Sequence, residues 1–302
     1  MKPYRANILL ILVTIIVFTL PACVPWSGQT PANENSADVI ATSVAATLAA
    51  KAASEGSSET AAPPPSPTWT IHPTVTASAI ETNFDYAGVS FYFNDLLADN
   101  ISAGVNPGYY DEQALLWSIP EHREFVFNGW VLSDAFHTPA IRVYPVADFV
   151  AINENVANAF TFLQPALQAQ PLNGDDLRVV DQFNAGQLYQ SNVKAVQFQN
   201  GYGARWLAQY GQAMYPIGWP DLFYTFQGFT DDGQYYISVI LPVNHPSLTP
   251  TELVVVDNDF FANYETYADG IQSQLNAESD NSFMPSLVLL DQLVASLLVG
   301  NP

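Results

Sequence analysis

Large hydrophobic residues are unevenly spaced along the chain and divide it into three parts. Ile8 to Leu20 is a run of 13 residues, apolar apart from two threonines. From Pro25 to Ile80 large apolar side chains become sparse. From Glu81 to Pro302 they recur without a break in composition, so this part is expected to fold as one domain.

Within the third part the period of the pattern predicts the elements. Val89, Phe91 and Phe93 alternate with Ser90, Tyr92 and Asn94, as in a half-buried strand. Phe125, Phe127, Gly129 and Val131 suggest a second strand, and Ile141 and Val143 a third. Phe149, Ile152, Val156, Phe160, Leu163 and Leu167 then step by three and four, the spacing of an amphipathic helix, with Asp148 as its expected cap. Val193–Gln199 and Gly203–Tyr210 flank Asn200-Gly201, a pair that suits a two-residue turn needing positive φ at both positions. Leu222–Phe229 and Gln234–Leu241 flank a second turn, Thr230-Asp231-Asp232-Gly233. The run Tyr235–Leu241 is apolar on both faces and should be a central, covered strand. Asp259 is placed to cap a helix carrying Phe261, Tyr264, Ile271 and Leu275, and Ser282 or Ser286 to start a last helix carrying Leu287, Leu290, Leu293 and Leu297. The expected fold is α+β: a single domain over 81–302, with a mostly antiparallel sheet of about six or seven strands packed with three helices. Some 220 residues are enough to bury one sizeable core.

The first part is an address. Thirteen residues rise about 20 Å as a helix, short of the roughly 30 Å hydrocarbon core. Lys2 and Arg5 precede the run and Leu20-Pro21-Ala22-Cys23 ends it with the chain's only cysteine. Those flanks fit a secretory signal. The ending resembles the bacterial lipoprotein signal, which implies cleavage between Ala22 and Cys23 and acylation of Cys23; the alternative is an ordinary signal peptide with an incidental cysteine. Residues 1–22 are then the signal. Several acyl chains hold a protein to a membrane where one does so only marginally. No other cysteine remains for a disulfide.

Residues 23–80 read as the lipidated cysteine and a flexible tether. Pro25–Ile80 contains 13 Ala, 8 Ser, 8 Thr and 7 Pro, too little large apolar surface for a core. Pro63-Pro64-Pro65-Ser66-Pro67 favours extended polyproline backbone. Ile40, Val44 and Leu48 recur every four residues among alanines, which suits either a fraying helix or a small oligomerisation helix over Ser36–Ala53.

Charge narrows the function. The chain carries 8 basic and 29 acidic residues, a net charge of −21. Phosphate recognition needs clustered Lys and Arg, so nucleic acid is not an expected partner, nor is anionic lipid through a basic face. The membrane contact is expected through the lipid at Cys23 alone. Arg123, Arg142, Arg178, Lys194 and Arg205 face 25 acidic residues in the third part.

No catalytic signature stands out. There is no Gly-x-Ser-x-Gly elbow, no His-Glu-x-x-His helix, no cysteine pair and no Gly-rich phosphate loop, so no metal or cofactor is expected. His137 and His245 precede or enter Thr-Pro and Pro turns, where each reads as a turn histidine or a base; His122 is the third histidine of this part. Asp257-Asn258-Asp259 looks faintly like a calcium loop but lacks its glycine and terminal glutamate. Asp175-Asp176 and Asp231-Asp232 lie beside glycines and read as turns. Trp130, Trp206, Tyr210, Tyr235 and Tyr236 are further aromatic residues that suit a binding platform or the core. The loop Met214-Tyr215-Pro216-Ile217-Gly218-Trp219-Pro220 is the expected binding loop, with Tyr215, Trp219 and the nearby Tyr224 as its contact residues.

Two resemblances bear on this domain. The stretches Val193–Gly201, Ala204–Tyr210, Phe223–Gly233 and Leu241–Pro246 are similar to a group of uncharacterised bacterial lipoproteins, which implies a cell-envelope setting and brings no activity. An early Gly-Val-Ser-Phe strand before a long meander loosely resembles PsbP-like architecture, and a shared fold does not fix function. The sequence therefore points to a lipid-anchored extracytoplasmic protein, not an enzyme, that binds or scaffolds an envelope protein or glycan. The alternatives are an envelope hydrolase of glycans or peptides whose carboxylates the fold assembles, and an accessory subunit of a membrane complex.

Overall fold

A strand whose every residue is apolar must be covered on both faces, and the covering layers set the architecture. A computed structural model describes residues 81–110, 117–180 and 183–302. The expected signal, the expected acylation site Cys23 and the expected tether lie outside the described residues. In chain order the elements are β1 (Glu81–Tyr86), β2 (Val89–Asn94), β3 (Asn100–Asn106), β4 (His122–Asn128), β5 (Ala140–Pro145), α1 (Val146–Ile152), α2 (Glu154–Gln168), β6 (Gly186–Phe198) and β7 (Gly201–Gly211). They continue with β8 (Phe223–Thr230), β9 (Tyr235–Pro242), α3 (Asn258–Ala262), α4 (Tyr264–Ala277), α5 (Leu287–Ala295) and β10 (Leu298–Val299).

Seven strands form one antiparallel sheet in the order β3-β4-β5-β9-β8-β7-β6, and β1-β2-β10 form a second. The fold is α+β, as expected. Ten strands and five α-helices are present among the described residues, more than the expected count. Two of the extra helices arise because single expected helices are broken, at Asn153 and Asn263.

All residues of β8 and β9 are buried. On one face Trp206, Phe223, Phe229, Tyr236 and Ile240 pack with Phe149 of α1 and with Val156, Phe160, Leu163 and Leu167 of α2. On the other, Leu207, Phe226, Ile237, Val239 and Leu241 share a core with Leu287, Leu290, Leu293 and Val294 of α5 and with Val89, Phe91, Phe93 and Val299 of the small sheet. The alternation of faces along each strand thus feeds two separate cores.

Local details depart from the expected pattern. The turn between β6 and β7 is Gln199-Asn200, because Phe198 pairs with Gly201. Neither Asn200 nor Gly201 has a positive φ. Gly201 supplies space instead: a Cβ there would lie 2.1 Å from the Phe198 ring and 2.4 Å from the Phe229 carbonyl. Asn200 clamps β10, donating to the Val299 carbonyl at 2.6 Å and accepting from its N–H at 3.1 Å. Asp148 lies inside α1 and caps nothing; α1 starts at Pro145 without a side-chain cap. The cap is Asn153, which accepts from the Val156 N–H at 3.2 Å and starts α2. Asp257, not Asp259, caps the next helix, accepting from the Asp259 and Phe260 N–H groups at 3.0 Å each. Of the two serines considered for the last helix, Ser286 is the cap.

Candidate functional site

The expected binding loop connects β7 to β8 and is buttressed from several sides. Gln209 of β7 is buried; its amide donates to the Pro216 carbonyl at 2.9 Å and its oxygen accepts from the Gly218 N–H at 3.0 Å. From α4, Tyr267 accepts from the Ile217 N–H at 2.9 Å and Tyr264 donates to the Tyr215 carbonyl at 3.2 Å. Thr251 donates to the Trp219 carbonyl at 2.8 Å. A second loop is tied on where the Phe136 N–H donates to the Pro220 carbonyl at 3.2 Å. Gln212 donates to the Asn184 carbonyl at 2.9 Å and joins the segment that precedes β6. A loop held at this many points presents its side chains from a fixed frame.

These segments enclose a cleft of about 570 Å³, within the range of small-molecule sites. Phe136, His137, Phe183, Tyr210, Tyr215 and Asp221 line it. The rings form a connected set: His137 lies 5.0 Å from Phe136, 5.4 Å from Phe183 and 4.5 Å from the buried Phe223, and Phe183 lies 4.6 Å from Tyr210. Phe136 and Tyr215 are 72% and 50% exposed, so large apolar rings stand at the mouth instead of in the core. Tyr210 is fixed by its hydroxyl, which donates to Gln187 at 2.9 Å and accepts from the Val179 N–H at 3.2 Å.

Two titratable groups set the electrostatics. Burial, reinforced by the nearby Arg142 charge, holds the His137 imidazole down at about 4, so it is neutral at neutral pH. Its Nε2 is buried without a hydrogen-bond partner, which leaves an imidazolium there without an acceptor. Burial raises the Asp221 carboxyl above its ordinary value. The cleft is therefore an aromatic basket with one neutral imidazole and one acidic group.

The other singled-out residues are placed elsewhere. Tyr224 is fully buried in β8, and its hydroxyl donates to Asp291 at 3.2 Å; it lies outside the loop and does not line the cleft. Trp219 is half-buried and is not part of the lining. Trp130, Trp206, Tyr235 and Tyr236 are core residues. His245 is buried: its Nδ1 accepts from the Ser247 N–H at 3.2 Å and its Nε2 faces Ser282 Oγ at 2.9 Å, a satisfied turn. His122 is buried against Tyr144, with Nδ1 3.0 Å from the Pro120 carbonyl. Among the described residues no group of three or more His, Cys, Asp and Glu is placed to hold a metal ion.

The cleft residues that the sequence did not single out for binding are Phe136, Phe183 and Asp221. They come from three separate loops; the only sequence signal of Phe136 and Phe183 is a large ring among turn-forming residues, and Asp221 has none. No family model, no curated protein and no solved structure matches the chain.

Proposed function

We propose that this chain is a binding protein of the cell envelope, carried on a tether from a lipid at Cys23, and that the aromatic cleft is where its folded domain takes a ligand. The observation that carries the reading is the cleft itself: exposed rings of Phe136 and Tyr215 over a frame fixed by hydrogen bonds from β7 and α4. Exposed aromatic rings in a concave, preformed site favour recognition, because they bury large area at little conformational cost. The signal-like N-terminus and Cys23 support the envelope setting. Labelled fatty acid should enter the wild-type chain, and Cys23→Ala should move it from the membrane to the soluble fraction. A wild-type chain that takes up no label contradicts the anchor.

A second reading, docking to a membrane-protein partner, rests on the exposed apolar side chains of Leu253, Val255, Val256 and Phe261, which are 68%, 74%, 46% and 47% exposed. Cross-linking from these positions in whole cells tests it: a single defined partner supports the reading, and products scattered over many proteins contradict it.

A further inference from the structure

A carboxylate that is partly withdrawn from water and has no partner calls for a cation. The Asp221 side chain makes no hydrogen bond or ion pair among the described residues, yet it lines a cleft whose other walls are mostly aromatic. Aromatic faces attract cations through their quadrupole, and the attraction grows when water is excluded. His137, the one basic side chain in this lining, is neutral and does not compete for the carboxylate. Arg142, the base that acts on His137, is ion-paired with Glu124 at 2.7 Å.

The rest of the domain points the same way. Its few basic side chains are used internally. Arg123 donates to the Ala87 and Gly300 carbonyls at 2.8 and 2.7 Å and lies 4.4 Å over the Tyr235 ring. Lys194 and Arg205 both pair with Asp280 and Asp291. Arg178 donates to the Leu177 carbonyl at 2.6 Å. With Arg142, these bases take up Glu124, Asp280 and Asp291, and the part of the chain from Glu81 onward carries 25 acidic against 5 basic residues, so its summed field concentrates cations around the domain.

We propose that the cleft selects a small organic ammonium ion with an apolar body, the ammonium group on Asp221 and the body among Phe136, Phe183 and Tyr215. The inference rests on the cleft being a ligand site and adds its chemical class. The volume of about 570 Å³ suits a free small molecule. A lysine side chain displayed on a protein offers the same ammonium chemistry, so the test includes it.

The test titrates the full-length chain at neutral pH with phenethylamine, which is protonated there, and with 2-phenylethanol, its neutral analogue of similar shape. A short acetylated peptide with one lysine is the third probe. The amine is expected to bind about ten-fold tighter than the alcohol, a preference that Asp221→Asn removes while leaving alcohol binding in place. Tyr215→Ala is expected to weaken both. In the wild type the preference should fade with acidification as the Asp221 carboxyl protonates, which guards against a variant that misfolds. Equal binding of amine and alcohol, or a preference that survives Asp221→Asn, overturns the ammonium assignment while leaving the cleft as a ligand site. Tighter binding of the lysine peptide than of the amine overturns the free small molecule as occupant. Failure of every probe to bind overturns both the class and the cleft.

Discussion

At the scale of single residues, burial decides which side chains are chemistry and which are scaffold. Tyr215 and Tyr224 are nine positions apart and read alike in the sequence, yet one stands half-exposed at the cleft mouth and the other is fully buried against Asp291. Nothing local separates them, because the difference is that Tyr215 lies in the loop before β8 and Tyr224 in β8 itself, whose residues are all covered. Arg205 shows the same limit: it is 2% exposed and held by Asp280 at 2.8 Å and Asp291 at 3.2 Å. A buried charge is tolerable only when paired, and both partners lie far along the chain. His137 yields a residue-scale prediction. Its folded value of about 4 lies below the ordinary 6.5, so the unfolded chain takes up the proton first. The contribution is full above about pH 6.5, is lost as pH falls toward 4, and is constant below. Denaturant midpoints measured across this window should show the wild type losing roughly 2–3 kcal/mol more than His137→Gln. His245, also lowered by burial, contributes in both proteins and drops out of the difference. Parallel curves would exclude a buried neutral His137.

At the scale of elements, periodicity was informative and boundaries were not. The cores of β2, β5, β8 and β9 and the apolar face of α2 follow from spacing alone, because each buries a regular stripe. β1, β3 and β10 were not legible. β1 and β3 are polar or small along much of their length and β10 has two residues; all three are stabilised by the strands they join. Helix breaks were equally hidden, since apolar spacing continues across Asn153 while the backbone does not. Asn153 is 1% exposed and bonds in two directions, accepting from Val156 and donating to the Ser118 carbonyl at 2.9 Å. Asn153→Ala should therefore cost about 2 kcal/mol, measured as a lower urea midpoint with an unchanged slope. A change within about 0.5 kcal/mol would show that the cap carries no stability.

At the scale of the whole molecule, two cores on opposite faces of one sheet leave the edges and loops free for function. The cleft forms where loops from three parts of the chain meet at the β7–β8 connection, so the sequence could mark Tyr210, Tyr215 and His137 but not Phe136, Phe183 and Asp221 beside them. The acidic balance reads differently once the basic residues are placed. Arg123 is buried, and Arg142, Lys194 and Arg205 are ion-paired within the domain. Each pair uses up an acidic residue as well as a basic one, so residues 81–302, with 5 basic and 25 acidic side chains, keep a net charge of −20. Anionic headgroups repel such a surface, which fits the proposed anchor at Cys23 and a tether that sets the domain off the bilayer. The central claim is that the aromatic cleft is the ligand site. Its most direct test is an NMR titration of full-length Cys23→Ala chain, free of lipid, with the small-molecule fraction of a cell-envelope extract. Ring signals of Phe136, His137, Phe183 and Tyr215 are predicted to shift together while those of Tyr224 and His245 stay in place. Shifts confined to other parts of the domain, or conversion of the added molecules with no shift in the cleft, would contradict the account.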